Sequence, residues 1–387
     1  MKRRGLQRAL AALSLVTLAT LAVTWNATGA NANANSRAVC PGPPVGSAHC
    51  HALAVTDAHG NPQATRAPTG LSPTTIKSAY GFPTSATAGT GQTIAIVDAY
   101  DDPSAESDLG VFDSTFSLPA CTTANGCFKK VNQTGGTSYP SKNTGWALEI
   151  SLDIQWAHAI APGAKILLVE ASSNSFANLL AAEDYAKTHA QYVSNSWGGS
   201  EFSGEAANDG HFAQSGVSFF VSSGDAGLPA EYPSASPNVI SVGGTTLQFS
   251  GNTLTGETGW SSGGGGCSAY ENATAAQSSF AQYGQVGCAG KRATPDVSLD
   301  ADPASGVSVY DTTRYQGQSG WFRVGGTSAS SPMWAGRAAV AGVVVSSAYV
   351  YGNTISYRDI TSGNNGAACL VGFDLCSGRG SWTGSTP

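Results

Sequence analysis

Gly325-Gly326-Thr327-Ser328-Ala329-Ser330-Ser331-Pro332, running on into Met333 to Val345, is the stretch from which the rest of the chain can be read. Two glycines let the backbone turn tightly and approach a substrate closely. Pro332 follows where a first helical turn is expected, a place that tolerates proline. From Met333 to Val345 the only charge is Arg337, which predicts a buried helix. A serine at the mouth of such a helix is held rigidly and feels the partial positive charge of the helix N-terminus, which favours an anion there. That setting suits a nucleophile. The same letters also suit a plain Gly/Ser loop with an N-cap, so the catalytic partners must be sought elsewhere.

The chain has 387 residues, room for one large domain or two ordinary ones. Charged residues make up 11% and glycine accounts for 48 positions, a composition closer to a secreted, loop-rich globular enzyme than to a coiled coil or a disordered chain. A net charge of -6 argues against a nucleic-acid partner. Residues 1–34 read as an export signal. Lys2, Arg3, Arg4 and Arg8 are its basic end, Ala9 to Val23 its apolar core, and Ala30-Asn31-Ala32 and Ala32-Asn33-Ala34 offer cleavage sites. A membrane anchor is the competing reading, weakened because the apolar run is short for a span. The expectation is a secreted, extracellular monomer, off the membrane once the signal is removed. Eight cysteines fall in four sequence-local pairs, Cys40/Cys50, Cys121/Cys127, Cys267/Cys288 and Cys369/Cys376. In an exported chain they suggest disulfides, and sequential pairing is the simplest of roughly 105 connectivities.

Asn35 to about Thr74 lacks a clear period and reads as an extended, solvated leader clipped by Cys40–Cys50. From Ile76 the pattern changes, and 75–387 reads as the main domain. Thr93 to Asp98, Ala164 to Ala171, Tyr192 to Trp197, Val217 to Ser223 and Val239 to Gly243 are short apolar runs, predicted as buried strands. Helical patterns lie between them at Trp146 to Ile160, Phe176 to His189 and Glu205 to Gln214. The alternation predicts an α/β fold, a single large domain whose mostly parallel sheet carries helices on both faces, with its site beyond the carboxyl ends of the strands. Gly259 to Gly266 reads as a flexible surface loop.

A serine nucleophile needs a base, usually a histidine held by a carboxylate. His158, His189 and His211 follow the first strand, but none has a His-Gly-Thr setting, and all three read as structural. The carboxylates are better placed. Glu149 and Asp153 stand four apart in a helical pattern, so they share one face, one turn apart. Among apolar neighbours such a pair tends to share a proton. Asp225, in Ser223-Gly224-Asp225, closely follows an apolar strand, where a site residue is expected, although a turn aspartate is the plainer alternative.

These three motifs, in this order, resemble the sedolisin family of serine-carboxyl peptidases, which have a subtilisin-like fold. The resemblance rests on Glu149-Ile150-Ser151-Leu152-Asp153, Ser223-Gly224-Asp225 and Gly326-Thr327-Ser328-Ala329-Ser330-Ser331-Pro332, and spans about Ser72 to Gly363. It implies an endopeptidase acting on proteins or peptides at acidic pH. Ser328 would be the nucleophile, Glu149 its base, Asp153 the group orienting Glu149, and protonated Asp225 the donor to the oxyanion. Asp98 and Trp197 would support the acid pair. The resemblance also implies one Ca2+ site, with Asp359 and the Ile360 carbonyl as its first half. The family's second half, Gly-x-Gly-x-Asp, is altered here. One alignment uses Asp374; the other, Gly378-Arg379-Gly380-Ser381-Trp382, has lost the acid. The segment between signal and domain is short for the family's folding pro-domain, which implies either unaided folding or a reduced member. Two rivals stay open: a catalytically impaired binding protein on the same fold, and an alkaline Ser-His-Asp hydrolase. A lipase-type esterase is disfavoured, because no Gly-x-Ser-x-Gly elbow with suitable partners is present.

Overall fold

The computed structural model describes residues 35–40, 42, 46–352 and 355–384. The export-signal reading of 1–34 lies outside them. The strand Thr93–Ala99 runs through the sheet centre, and Ile94 to Ala99 are all buried. Its neighbours are Lys165–Ala171 and Tyr192–Asn195, both parallel to it. Outward on one side comes Phe128–Asn132; on the other come Ser218–Ser222, Ile240–Ser250 and Val297–Asp300, again parallel. Antiparallel pairing appears where Thr253–Gly259 joins Ile240–Ser250 and where Tyr357–Arg358 joins Ser381–Trp382. Strands covered on both faces need apolar side chains on both, which is why these segments read as continuous apolar runs.

The helix Thr144–Ile160 begins at Asn143, whose side chain accepts from the N–H groups of Gly145 and Trp146 at 3.0 and 3.2 Å. Every residue from Gly145 to Ile160 is buried. The helix lies among the central sheet, the helix Ala105–Phe116, the strand Val307–Asp311 and the nucleophile helix Thr327–Ala341. Its polar groups are matched: Trp156 Nε1 donates to Ser308 O at 3.0 Å, and Gln155 both donates to Tyr310 O and accepts from Tyr310 N. A Cβ on Gly336 would stand 2.8 Å from Ile160 Cβ and 3.1 Å from Ala157 O, so the two helices touch backbone to backbone there. Ser328 precedes Gly336 by as many residues as Glu149 precedes Ala157. Helices running side by side in one direction therefore carry nucleophile and acid pair to the same end.

Four local expectations are corrected. The nucleophile helix starts at Thr327 on the cap Gly326, so Pro332 lies beyond the first turn. Proline removes the N–H that would bond Ser328 O, and Ser196 Oγ donates to that carbonyl at 3.4 Å instead. The 205–214 helix is a 3-10 segment, Glu205–Phe212. Gly263 to Gly266 are buried, not a flexible surface loop: Gly264 N donates to Gly224 O at 2.6 Å, and a Cβ on Gly264 would collide with Ser223 O. The leader is not solvated. Ser36–Ala38, His49–Cys50 and Leu53–Val55 join small antiparallel sheets with the body, and His51 is 1% exposed, whereas His59 does face solvent. The disulfides pair sequentially, Cys40–Cys50, Cys121–Cys127, Cys267–Cys288 and Cys369–Cys376. Among the described residues no helix is long and apolar enough to cross a membrane.

Candidate active site

The carboxyl ends of three adjacent strands meet the N-terminus of the nucleophile helix. Thr93–Ala99 delivers Asp98, Tyr192–Asn195 leads into Ser196, and Ser218–Ser222 leads into Ser223-Gly224-Asp225. Ser328 is fully buried; its Oγ donates to Ser196 O at 3.3 Å and its N–H donates to His51 O at 3.2 Å.

Glu149, Asp153 and Asp98 are each 0% exposed. Burial pushes Glu149 well above the usual carboxylate range, and the charges of Asp153 and Asp98 push it further; the nearby Ser328 hydroxyl works against the rise, although neither Glu149 oxygen has a hydrogen-bond partner. Asp153 is raised by burial, opposed by the Ser196 hydroxyl. Asp98 is raised by burial and then by Asp153 and Glu170. Three carboxyls this close in a dry pocket cannot all ionise, so the cluster keeps protons to higher pH and titrates as a unit. Trp197 Nε1 donates to Val97 O at 2.9 Å and ties the strand ends that position the acids.

Asp225 follows a turn at Gly224 with φ of 111°. Its Oδ1 accepts from Thr327 N at 2.7 Å and Thr327 Oγ1 at 2.9 Å, which fixes the carboxyl at the helix mouth. Its Oδ2 has no partner. Burial raises Asp225 to about 7, against the pull of His51 and the Thr327 N–H. Gly326 has φ of 97°, and a Cβ there would meet Asp225 Oδ2 at 2.6 Å and run into His51 O. Glycine is needed here, because the oxygen-lined hollow beside Ser328 has no room for a side chain.

Other imidazoles are engaged away from Ser328. His158 Nε2 bonds Pro119 O at 2.9 Å, His189 Nδ1 bonds Tyr185 O at 2.8 Å, and His211 Nδ1 meets Asp184 at 2.9 Å. His51, which with His49 and His59 reads from the sequence as part of a solvated arm or, less favoured, as a metal ligand, is instead buried, and its ring bonds Ser222 Oγ at 2.7 Å and Glu231 Oε2 at 3.0 Å. The sequence reading missed Glu231. The pair His49 and His51 flanking a disulfide cysteine was the available signal; Glu231 offered none.

The calcium ligands inferred from the family do not fit that ion. Asp374 is buried and its oxygens are taken: Oδ2 accepts from Leu370 N at 2.7 Å, and Oδ1 from Cys376 N, Ser377 N and Ser377 Oγ at 3.0, 2.7 and 3.2 Å. It is the cap of its own loop. Asp359 is exposed and accepts from Gly372 N at 3.0 Å, and Ile360 is buried. Both stretches flank Asp359: Gly372 N donates to its carboxylate, and Gly380 packs against Arg358 O and the Asp359 backbone. In the alternative alignment Trp382 takes the place of the second acid, with the Arg337 guanidinium 4.2 Å from its ring. Calcium takes six to eight oxygens, several from carboxylates. Carboxylates already turned to backbone and hydroxyl donors, as Asp374 and Asp359 are, are a poor match.

Comparison with known proteins agrees with this geometry. Residues 134–349 match the subtilase family. Kumamolisin from Bacillus sp. (strain MN-32) is 31% identical over an alignment covering 81% of this chain and 62% of that protein. Xanthomonalisin from Xanthomonas sp. (strain T-22) is 30% identical, with 71% of this chain and 41% of that protein covered. The chain thus spans less than two thirds of the length of these relatives. The solved structure of Pseudomonas sedolisin, a serine-carboxyl proteinase complexed with two molecules of pseudo-iodotyrostatin, superposes with a TM-score of 0.68 at 28% identity. It covers 81% of this chain and 96% of its own. With the fold, the motif order and these relatives in agreement, the chain belongs to the subtilase family and, within it, to the sedolisins.

Proposed function

We propose that this protein is a secreted, monomeric serine-carboxyl endopeptidase that hydrolyses peptide bonds in proteins or peptides at acidic pH. The supporting observation is that Ser328 faces a buried carboxyl cluster, while His51, His158, His189 and His211 bond other groups. Glu149 takes the hydroxyl proton as Ser328 Oγ attacks the substrate carbonyl carbon. Asp153 sets the charge and orientation of Glu149. Asp225 in its neutral form donates from Oδ2 to the developing oxyanion, alongside the Ser328 N–H. Collapse of the intermediate expels the amine with the proton from Glu149, and water then releases the acyl group. A neutral Asp225 exists below its raised value of about 7, so the alkaline limb of activity falls there. The test is peptide hydrolysis across pH 3 to 9 with wild type and Ser328→Ala. Activity confined to acid and abolished by the substitution supports the reading, and an alkaline optimum refutes it.

A further inference from the structure

A small three-stranded sheet collects three metal-ligating side chains on one face. Trp197–Ser200 is its middle strand, with His49–Cys50 antiparallel on one edge and Glu231–Tyr232 antiparallel on the other. The registers are His49↔Gly198 and Glu231↔Ser200. Residues opposite one another point to the same face, and so do residues two apart along a strand. His49 and Glu231 therefore share a face, and Gly198 stands between them without a side chain. The His51 N–H donates to Ser196 O at 3.1 Å, which carries the pairing one step further and brings the His51 ring to that face too. One nitrogen from each imidazole and one Glu231 carboxylate oxygen all lie within 4.8 Å of one another.

The centre of this set has the room and the bonding that a small ion needs. A Cβ on Gly198 would stand 2.8 Å from His51 Cε1 and 3.2 Å from both His51 Nε2 and Glu231 Oε2. His51 Nε2 meets Glu231 Oε2 at 3.0 Å. Two ligands about 2.0–2.1 Å from a tetrahedral zinc ion lie roughly 3.3 Å apart, so a small outward shift of this pair admits the ion. His51 Nδ1 bonds Ser222 Oγ at 2.7 Å, and Ser222 Oγ donates onward to Asn195 O at 3.4 Å. The Ser222 oxygen is thus left to accept the Nδ1 proton, which turns the Nε2 lone pair toward the ion. Ligating histidines are held by an outer bond of this kind. His49 Nδ1 is buried and has no hydrogen-bond partner among the described residues, an orphan that calls for an explanation. The His51 side chain is fully buried and that of Glu231 is 14% exposed, so the way in from solvent is at the Glu231 edge.

We propose that His49, His51 and Glu231 bind one Zn2+ ion or a similar divalent transition metal, with water in the fourth position. The ion takes the place of the proton between His51 Nε2 and Glu231 Oε2, and that proton is released. Two imidazoles and one carboxylate suit zinc, whereas calcium and magnesium favour all-oxygen sets. Cys50, between the two histidines, is tied to Cys40 and supplies no thiolate. Once bound, the ion cross-links the segment carrying the histidines to the strand carrying Glu231. The proposal does not depend on the peptidase reading.

The experiment uses the full chain carrying Ser328→Ala, which keeps peptidase activity out of the measurement. The chain is stripped of metal and titrated calorimetrically with Zn2+ at pH 7, since imidazole binds a metal only when neutral. One ion per chain is expected to bind, with release of protons. His49→Ala and Glu231→Gln are each expected to weaken binding at least about tenfold, as even the loss of an outer partner does. His59→Ala, on an exposed histidine outside the set, is expected to leave the affinity unchanged. Hydrogen exchange at the His51 amide is expected to slow with Zn2+, and to keep its zinc-free rate in His49→Ala. That variant leaves the His51–Glu231 contact in place, so the test stands even if Glu231→Gln fails to fold. No stoichiometric binding, or an affinity that His49→Ala leaves unchanged, overturns the proposal and leaves the peptidase reading untouched. A chain that binds zinc as described and hydrolyses no peptide overturns the peptidase reading alone.

Discussion

In the proposed reaction Asp225 and Glu149 would divide the acid and base work by environment alone. Asp225 is anchored through Oδ1 on the Thr327 N–H and keeps Oδ2 free, so its neutral form is the one that can donate. Because burial raises it to about 7, ionisation removes the donor as pH climbs through that value. Asp225→Asn supplies a donor that does not titrate, and the alkaline limb of kcat/KM is expected to move upward from about 7. Asp225→Ala, with no donor, is expected to lower kcat by about 10²–10³, the usual cost of a lost oxyanion contact. A pH profile of Asp225→Asn unchanged from wild type would assign the limb to another group. Glu149→Gln keeps shape and loses the base, with an expected fall in kcat of about 10²–10⁴ in steady-state assays.

At the level of elements, two helices packed through a glycine hold the site together. Gly336→Ala places a methyl group 2.8 Å from Ile160 Cβ with backbone behind it. Overpacking of this kind costs about 1–3 kcal/mol, expected as a lower urea midpoint at pH 4. An unchanged midpoint would mean the helices yield easily. This scale also explains what could be read in advance. The helix period put Glu149 and Asp153 on one face, and apolar runs located the strands of the sheet. Both are local signals. His51 and Glu231 meet through two-residue strands on either edge of Trp197–Ser200, and pairing across such sequence distance leaves no local pattern. Gly259 to Gly266 looked like a loop by composition; its burial depends on the Ser223–Gly224 turn that packs against it. Pro332 was placed one turn too early because the cap is Gly326 rather than a residue with a hydroxyl or carboxylate side chain.

Across the whole molecule, buried carboxyls outnumber the cations available to pair with them, and folding favours their neutral forms. Burial lifts Asp113 and Asp311 to about 7, Glu183 to about 8 and Glu170 to about 9, alongside the raised acid cluster. A folded-state value above the unfolded one means the folded chain binds more protons, so the stabilisation is full below about 4 and drains away as pH rises through 7 to 9. Glu231, Asp184 and Asp57, which are lowered, and His49 and His158, which burial lowers to about 4, act in the opposite sense, but they are fewer than the raised carboxyls. The thermal midpoint, followed by circular dichroism, is expected to be highest near pH 4 and to fall steadily to pH 9. A midpoint that rises with pH would contradict the buried-neutral account. EDTA at pH 4 is expected to leave the midpoint unmoved, since Asp374 caps its own loop and Asp359 is held by the Gly372 N–H. A marked drop on chelation would restore the metal site.

The account depends on a carboxyl group, not an imidazole, deprotonating Ser328. Its most direct test is the rate at which a serine-directed phosphonate labels Ser328, followed by mass spectrometry across pH in wild type and Glu149→Gln. The predicted result is labelling at pH 4 that fades above pH 7 and slows by about 10² or more in the variant. Labelling that climbs toward alkaline pH and ignores the Glu149 substitution would contradict it.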